Sequence, residues 1–246
     1  MHMDRFEQDG FVIVRGMATP TRLVRMNRAA LEELTHRTEP AEYEADLRYP
    51  GAPADRTVQG GATTRRLLQA YSRDEVFREW ALDPAVHALV SALLGSPVML
   101  SQVHHNCIMT KQPRYSSTTG WHQDIRYWSF ERPQLISVWL ALGREFPDNG
   151  CLSFLPGTHV LELENERLDA SRFLREDSPA NQALIATRVT PILEPGDVVL
   201  FHCRTFHAAG NNRTDHPKQS LVFTYHRADN RPLAGTRSAS LPAIPL

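Results

Sequence analysis

The chain has 246 residues, 41% of them apolar and 22% charged, with a formal net charge of −1. This size and balance predict one globular domain with a substantial core and rule out a largely disordered chain. A near-neutral chain has no positive field for nucleic acid or an anionic membrane; with no apolar run of spanning length and a charged N-terminus, it is expected to be soluble and cytoplasmic.

Phe11-Val12-Ile13-Val14 predicts an opening strand. Thr19-Pro20 then reads as an N-cap with a first-turn proline, and Leu23, Met26, Ala30 and Leu34 recur at three- and four-residue steps, which predicts a helix with one apolar face. From His36 to Thr64 the chain turns polar and rich in Pro and Gly, the composition of a long loop without regular structure that could serve as a lid. Asp83-Pro84 starts a second helix, with Val86, Leu89, Val90 and Leu93 on its apolar face and Gly95 as its stop.

Beyond Gly95 short strand-like runs follow: Val98 to Met109, Leu135 to Leu142, Cys151 to Leu155, Ala186 to Leu193, Val198 to Cys203 and Leu221 to Tyr225. Asp148-Asn149-Gly150 and Glu194-Pro195-Gly196-Asp197 are the clearest turns between them. Several short strands with turn signals predict a sandwich or barrel. The expected layout is one domain over 1–246, with a helical part at 17–95, a β core at about 96–230 and a loosely held tail after Arg231. Cys107, Cys151 and Cys203 form no close pair and are expected to be reduced interior thiols.

Chemistry concentrates at Gly120-Trp121-His122-Gln123-Asp124, because residues two apart on an extended chain point to one side and His122 and Asp124 then face one point. A third ligand must come from a distant strand, and His207, just past the run that starts at Asp197, is the best candidate. Two imidazoles and one carboxylate on one face leave adjacent positions open, the arrangement of non-haem Fe(II) oxygenases; zinc would also accept these ligands.

The wider set of motifs is more specific. Phe6 to Gly16, Trp121-His122-Gln123-Asp124, Val138-Trp139-Leu140-Ala141-Leu142, Asp148-Asn149-Gly150-Cys151-Leu152, Leu155-Pro156-Gly157-Thr158-His159, Pro195-Gly196-Asp197, His202, His207 and Asn212 together resemble, over nearly the whole chain, the phytanoyl-CoA dioxygenase family of Fe(II)- and 2-oxoglutarate-dependent oxygenases. The resemblance implies a mainly β fold with flanking helices around a double-stranded β-helix, or jelly-roll, core, in which the stretch from Phe6 is the opening strand. It implies iron at His122, Asp124 and His207 rather than at His202, and 2-oxoglutarate and O2 as co-substrates. Retention of Asp124 resembles the hydroxylating rather than the halogenating members, so hydroxylation or desaturation with release of succinate and CO2 is expected.

The distal carboxylate of 2-oxoglutarate needs a buried cation. Relatives place an arginine eleven residues after the last histidine, where this chain has Lys218, which keeps the charge but loses the planar fork. Arg213 is the alternative partner, Trp139 and Cys107 match positions that wall the oxo acid pocket, and Ala209 replaces a small hydroxyl residue. Arg65-Arg66 with Gln69, and Arg126-Tyr127-Trp128, are candidate contacts for a polar or anionic substrate, although arginines also serve as a solvated face. His104 and His105 are expected on opposite sides of a strand and His159 in a turn. Two competing functions remain: a zinc hydrolase on the same ligands, for which no general base stands out, and a non-catalytic metal- or metabolite-binding jelly-roll.

Overall fold

Leu135–Ala141 has every side chain buried and forms a central strand of the larger of two antiparallel sheets. The computed structural model describes residues 2–47 and 49–246. In chain order its elements are α1 (His2–Asp9), β1 (Phe11–Val14), α2 (Pro20–His36), β2 (Ala41–Tyr43), β3 (Thr64–Leu68), α3 (Ala70–Arg73), α4 (Glu75–Ala81), α5 (Pro84–Leu94), β4 (Val98–Ser101), β5 (Cys107–Lys111), β6 (Thr119–His122), β7 (Leu135–Ala141), β8 (Leu152–Phe154), α6 (Pro179–Ala186), β9 (Val198–His202), β10 (His207–Ala209), β11 (Lys218–Arg227) and β12 (Ile244–Pro245).

The larger sheet runs β1-β9-β7-β11-β5-β3-β2, with β4 paired to β11 and β12 to β4; the smaller runs β6-β10-β8. Alternation along the strands divides the core into two layers. Val138, Leu140, Leu200, Leu221 and Phe223 point to the helices and pack with Met26 of α2, Phe77 and Trp80 of α4, and Val86 and Val90 of α5. Trp139, Ala141, Val199, Phe201 and Val222 point the other way and meet Leu152 and Phe154 of the small sheet. The second layer is the jelly-roll interior, and the site opens within it.

Local chemistry explains the helix ends. The Thr19 hydroxyl accepts from the Arg22 amide at 3.3 Å, and α2 closes where Arg37 turns left-handed at φ 50°. The Asp83 carboxylate accepts from the Ala85 amide at 2.8 Å, and Gly95, at φ 82°, ends α5. Both expected helices are present, as are the strand at Phe11 and the turns at Gly150 and Gly196. The three cysteines are free and buried.

Five expectations differ. Phe6 to Asp9 lies in α1 and only the residues from Phe11 are strand, because Phe6 sits on the buried side of an otherwise exposed amphipathic turn. The loop from His36 contains β2 and a 3-10 turn, and its Ala41 pairs with Leu67 of β3, a strand that two consecutive arginines masked. Val98 to Met109 divides into β4 and β5 around a break that holds both His104 and His105, so neither lies on a strand. Ala186 closes α6, and 187–193 contributes only isolated bridges from Val189 and Leu193. The tail is tied down: Ser238 is buried and bonded to His104 at 2.7 Å, and Ile244 pairs with Leu100.

Gly196 shows how tightly a turn is specified. Its φ is 93°, and a Cβ there would meet the Ala18 carbonyl oxygen at 2.6 Å. Gly196→Ala is therefore expected to cost about 2 kcal/mol, from left-handed strain plus the clash, and to lower Tm by about 4–8 °C in a thermal melt.

Candidate active site

Register creates the centre of the site. In the small sheet His207 of β10 stands directly opposite His122 of β6, and their ring centroids are 4.3 Å apart. Each ring donates Nδ1–H to a carbonyl two residues earlier in its own chain, His122 to Gly120 at 2.9 Å and His207 to Thr205 at 3.0 Å. That bond fixes the tautomer and leaves the Nε2 lone pair free.

Gln123 keeps the chain extended at φ −108° and ψ 137°, so Asp124, the first residue of a 3-10 turn, still faces the same way as His122. Its Oδ1 lies 3.8 Å from His122 Nε2 and 3.6 Å from His207 Nε2. Its Oδ2 has Ser137 Oγ at 3.5 Å and His105 Nδ1 at 3.4 Å. One donor atom from each of the three residues lies within 4.8 Å of the others, and all three residues are buried. Burial, with His207 beside it, pushes His122 down to about 3. Burial alone would raise the Asp124 carboxyl, but the imidazoles of His105, His207 and His122 hold it below the usual carboxylate range. A neutral imidazole and an ionised carboxylate are the states that ligate a cation. Two nitrogens and one oxygen converging in this way fit Fe(II).

Two cavities meet at these ligands. The inner one is narrow, about 50 Å³, and runs past Trp139, Gly150, Lys111 and Lys218; the outer one is about 280 Å³ and is walled by Tyr49, Tyr127, Trp128, Gln69 and Arg237. His122, Asp124, His105 and Arg66 line both.

Lys218 and Trp139 both line the inner cavity, and the structure shows what else holds them. Lys218 Nζ donates to Glu145 Oε2 at 3.2 Å and to Ser220 Oγ at 3.1 Å, while Trp139 Nε1 donates to Glu145 Oε1 at 3.0 Å. Arg213 is not brought to the site: its side chain is 72% exposed and bonded to Asp148 at 2.6 Å on the surface. Arg65 lines the inner cavity but not the outer one, and its buried guanidinium is bonded to Glu44, Ser117 and Thr119. Arg66 does reach both cavities, and its Nη1 is paired with Glu42 at 3.1 Å. Arg126 lies over the Phe173 ring at 3.9 Å, in a surface groove beside the ligands. Cys107 faces the outer cavity, and His202 bonds the Arg204 amide, away from the three ligands.

Sequence reasoning missed Glu145, Lys111, Ser137 and His105 as site residues. Period-two alternation could have found Lys111, since Met109 and Lys111 share the cavity face of β5. Nothing local marks Glu145, which reaches the site from the loop after β7.

The profile of the family described as Phytanoyl-CoA dioxygenase (PhyH) matches residues 6–220. The chain belongs to the phytanoyl-CoA dioxygenase family. It is 26% identical over 247 residues to "Phytanoyl-CoA dioxygenase, peroxisomal" of Rattus norvegicus, across 91% of this chain and 67% of that protein. To the ectoine dioxygenase of Sphingopyxis alaskensis it is 24% identical, across 92% and 75% of the two chains. Among solved structures it is similar to the epimerase SnoN in complex with Fe3+, alpha ketoglutarate and nogalamycin RO, at TM-score 0.75 and 25% identity, across 100% and 94% of the chains. With its His-Asp-His site, this member of the family is a non-haem iron dioxygenase of the 2-oxoglutarate-dependent class.

The ligand geometry makes a graded prediction. Asp124→Asn is expected to weaken Fe(II) binding by more than about 100-fold, and Ser137→Ala, which removes a hydroxyl shared by Asp124 and His105 but no ligand, by about 10-fold. Anaerobic Fe(II) titration of the purified variants checks both.

Proposed function

We propose that the protein hydroxylates, or desaturates, a small polar or anionic molecule held in the outer cavity, with 2-oxoglutarate bound in the inner cavity and converted to succinate and CO2. The observation that carries this reading is the convergence of His122, Asp124 and His207 where the two cavities meet, with His122 and Asp124 lining both and His207 lining the inner one. Bound Fe(II) would supply O2 activation, with decarboxylation of the oxo acid providing two electrons. For hydroxylation the balance is one O2, one 2-oxoglutarate and one C–H bond consumed, and one alcohol, one succinate and one CO2 formed.

The chain's own residues bind, orient and exclude water. Gly120 and Thr205 fix the two imidazoles, and Ser137 and His105 hold Asp124. Phe173 and Tyr127 pack near the His122 ring, and the Tyr127 hydroxyl meets that of Tyr49 at 2.8 Å, so aromatic groups roof the ligands. The polar or anionic character of the substrate is supported by Arg66 beside the ligands and by Arg237 at the exposed rim of the outer cavity. No helix among the described residues is long and apolar enough to cross a membrane, which with three free buried cysteines supports a cytoplasmic setting and a reducing compartment.

Anaerobic addition of Fe(II) and then 2-oxoglutarate to metal-free protein is expected to give a weak visible charge-transfer band that requires both. On admission of O2 slow formation of succinate should follow, even without substrate. Iron binding with no band would sink the reading.

A further inference from the structure

Four cationic side chains line the inner cavity, and three of them face a carboxylate: Arg65 faces Glu44, Arg66 faces Glu42 and Lys218 faces Glu145. Lys111 is the fourth. It is 7% exposed, its Nζ donates to the Ser117 carbonyl at 2.7 Å, and among the described residues no carboxylate oxygen lies within 4.0 Å of it. Burial, with Arg65 and Lys218 nearby and the more distant Glu44 carboxylate opposing them only in part, pushes its ammonium well below the ordinary lysine range. An unmatched buried cation is costly, and a bound anion relieves that cost.

Its placement suits such an anion. Lys111 stands opposite Lys218 across β5 and β11, so the two side chains share the cavity face. The Lys111 stem lies against Gly150, where a Cβ would come within 2.8 Å of the lysine Cδ. Ser117, its acceptor, lies two residues before β6, and His122 closes that strand, so Lys111 is anchored near the start of the strand whose end carries a ligand, and both line the inner cavity. Lys218 has a different setting. Glu145, fully buried, accepts from Lys218, Ser220 and Trp139 together, which makes a neutralised cluster.

On the reading that 2-oxoglutarate occupies the inner cavity, we propose that Lys111 supplies the charge that holds its distal carboxylate. Lys218 with Glu145 and Trp139 forms a neutral wall beside it. A five-carbon oxo diacid then meets the metal ligands at one end and the uncompensated cation at the other.

The test compares 2-oxoglutarate with 2-oxovalerate, which has the same chelating end and a methyl group in place of the distal carboxylate. Dissociation constants are read anaerobically from the charge-transfer band of Fe(II)-loaded protein. Lys111→Met is expected to weaken 2-oxoglutarate about 10- to 100-fold while leaving 2-oxovalerate unchanged, the loss of one charge-assisted contact. The metal-free variant should melt close to the wild type, because removal of a buried charge offsets the loss of the donor to the Ser117 carbonyl. Should methionine not be tolerated, Lys111→Gln, which can still donate to the Ser117 carbonyl without a charge, is expected to shift the preference in the same direction. An unchanged ratio of the two affinities overturns the role of Lys111 and leaves the function standing. A wild type that binds neither acid overturns both.

Discussion

Everything at the metal site depends on the pairing of β6 with β10, which sets His207 against His122. Side chains alternate along a strand, so a slip of one residue would turn one imidazole out of the cavity and end the convergence. The register is held from both sides, since β10 also pairs with β8 through His207 and Phe154. The carbonyl bonds of the two rings then set rotation as well as position. Asp124 needs no sheet pairing of its own, because the extended Gln123 carries it to the same face.

The large sheet supplies the second constraint, an interior that is apolar below and charged above. Phe201, Val222 and Leu152 pack as ordinary core, yet the same cavity receives several ionised side chains. Buried charges persist only when they are matched and hydrogen-bonded. Glu44 is matched through its Oε2, by Arg65 and by the amide and hydroxyl of Ser117, and Glu145 through Lys218, Ser220 and Trp139. Such networks fix the strands around the cavity in one arrangement. They also leave Lys111 as the position where charge is not balanced from within the described protein.

Much of the architecture was legible in the sequence because the signals were local. A cap plus three- and four-residue spacing is a complete description of α2 and α5, and glycine turns delimit β8 and β9. The failures have equally physical causes. β3 carries Arg65 and Arg66, whose charges are satisfied by Glu44 and Glu42, so its polarity conceals a buried strand. The proline-rich tail pairs with β4 through Ile244, a contact that composition cannot register.

At the site the division is sharper. Sequence by itself determined the ligand types and their spacing, since His122 and Asp124 are two residues apart and backbone extension alone aims them together. The family resemblance pointed to Lys218 and Trp139, and both line the inner cavity. Only the tertiary structure decided which cation is free: Arg213 turns outward to Asp148, Lys218 meets Glu145 across 73 residues of chain, and Lys111 meets no carboxylate among the described residues. The reason is that a ligand motif is short-range geometry, whereas the charge left over in a cavity is a sum over pairs that only folding brings together.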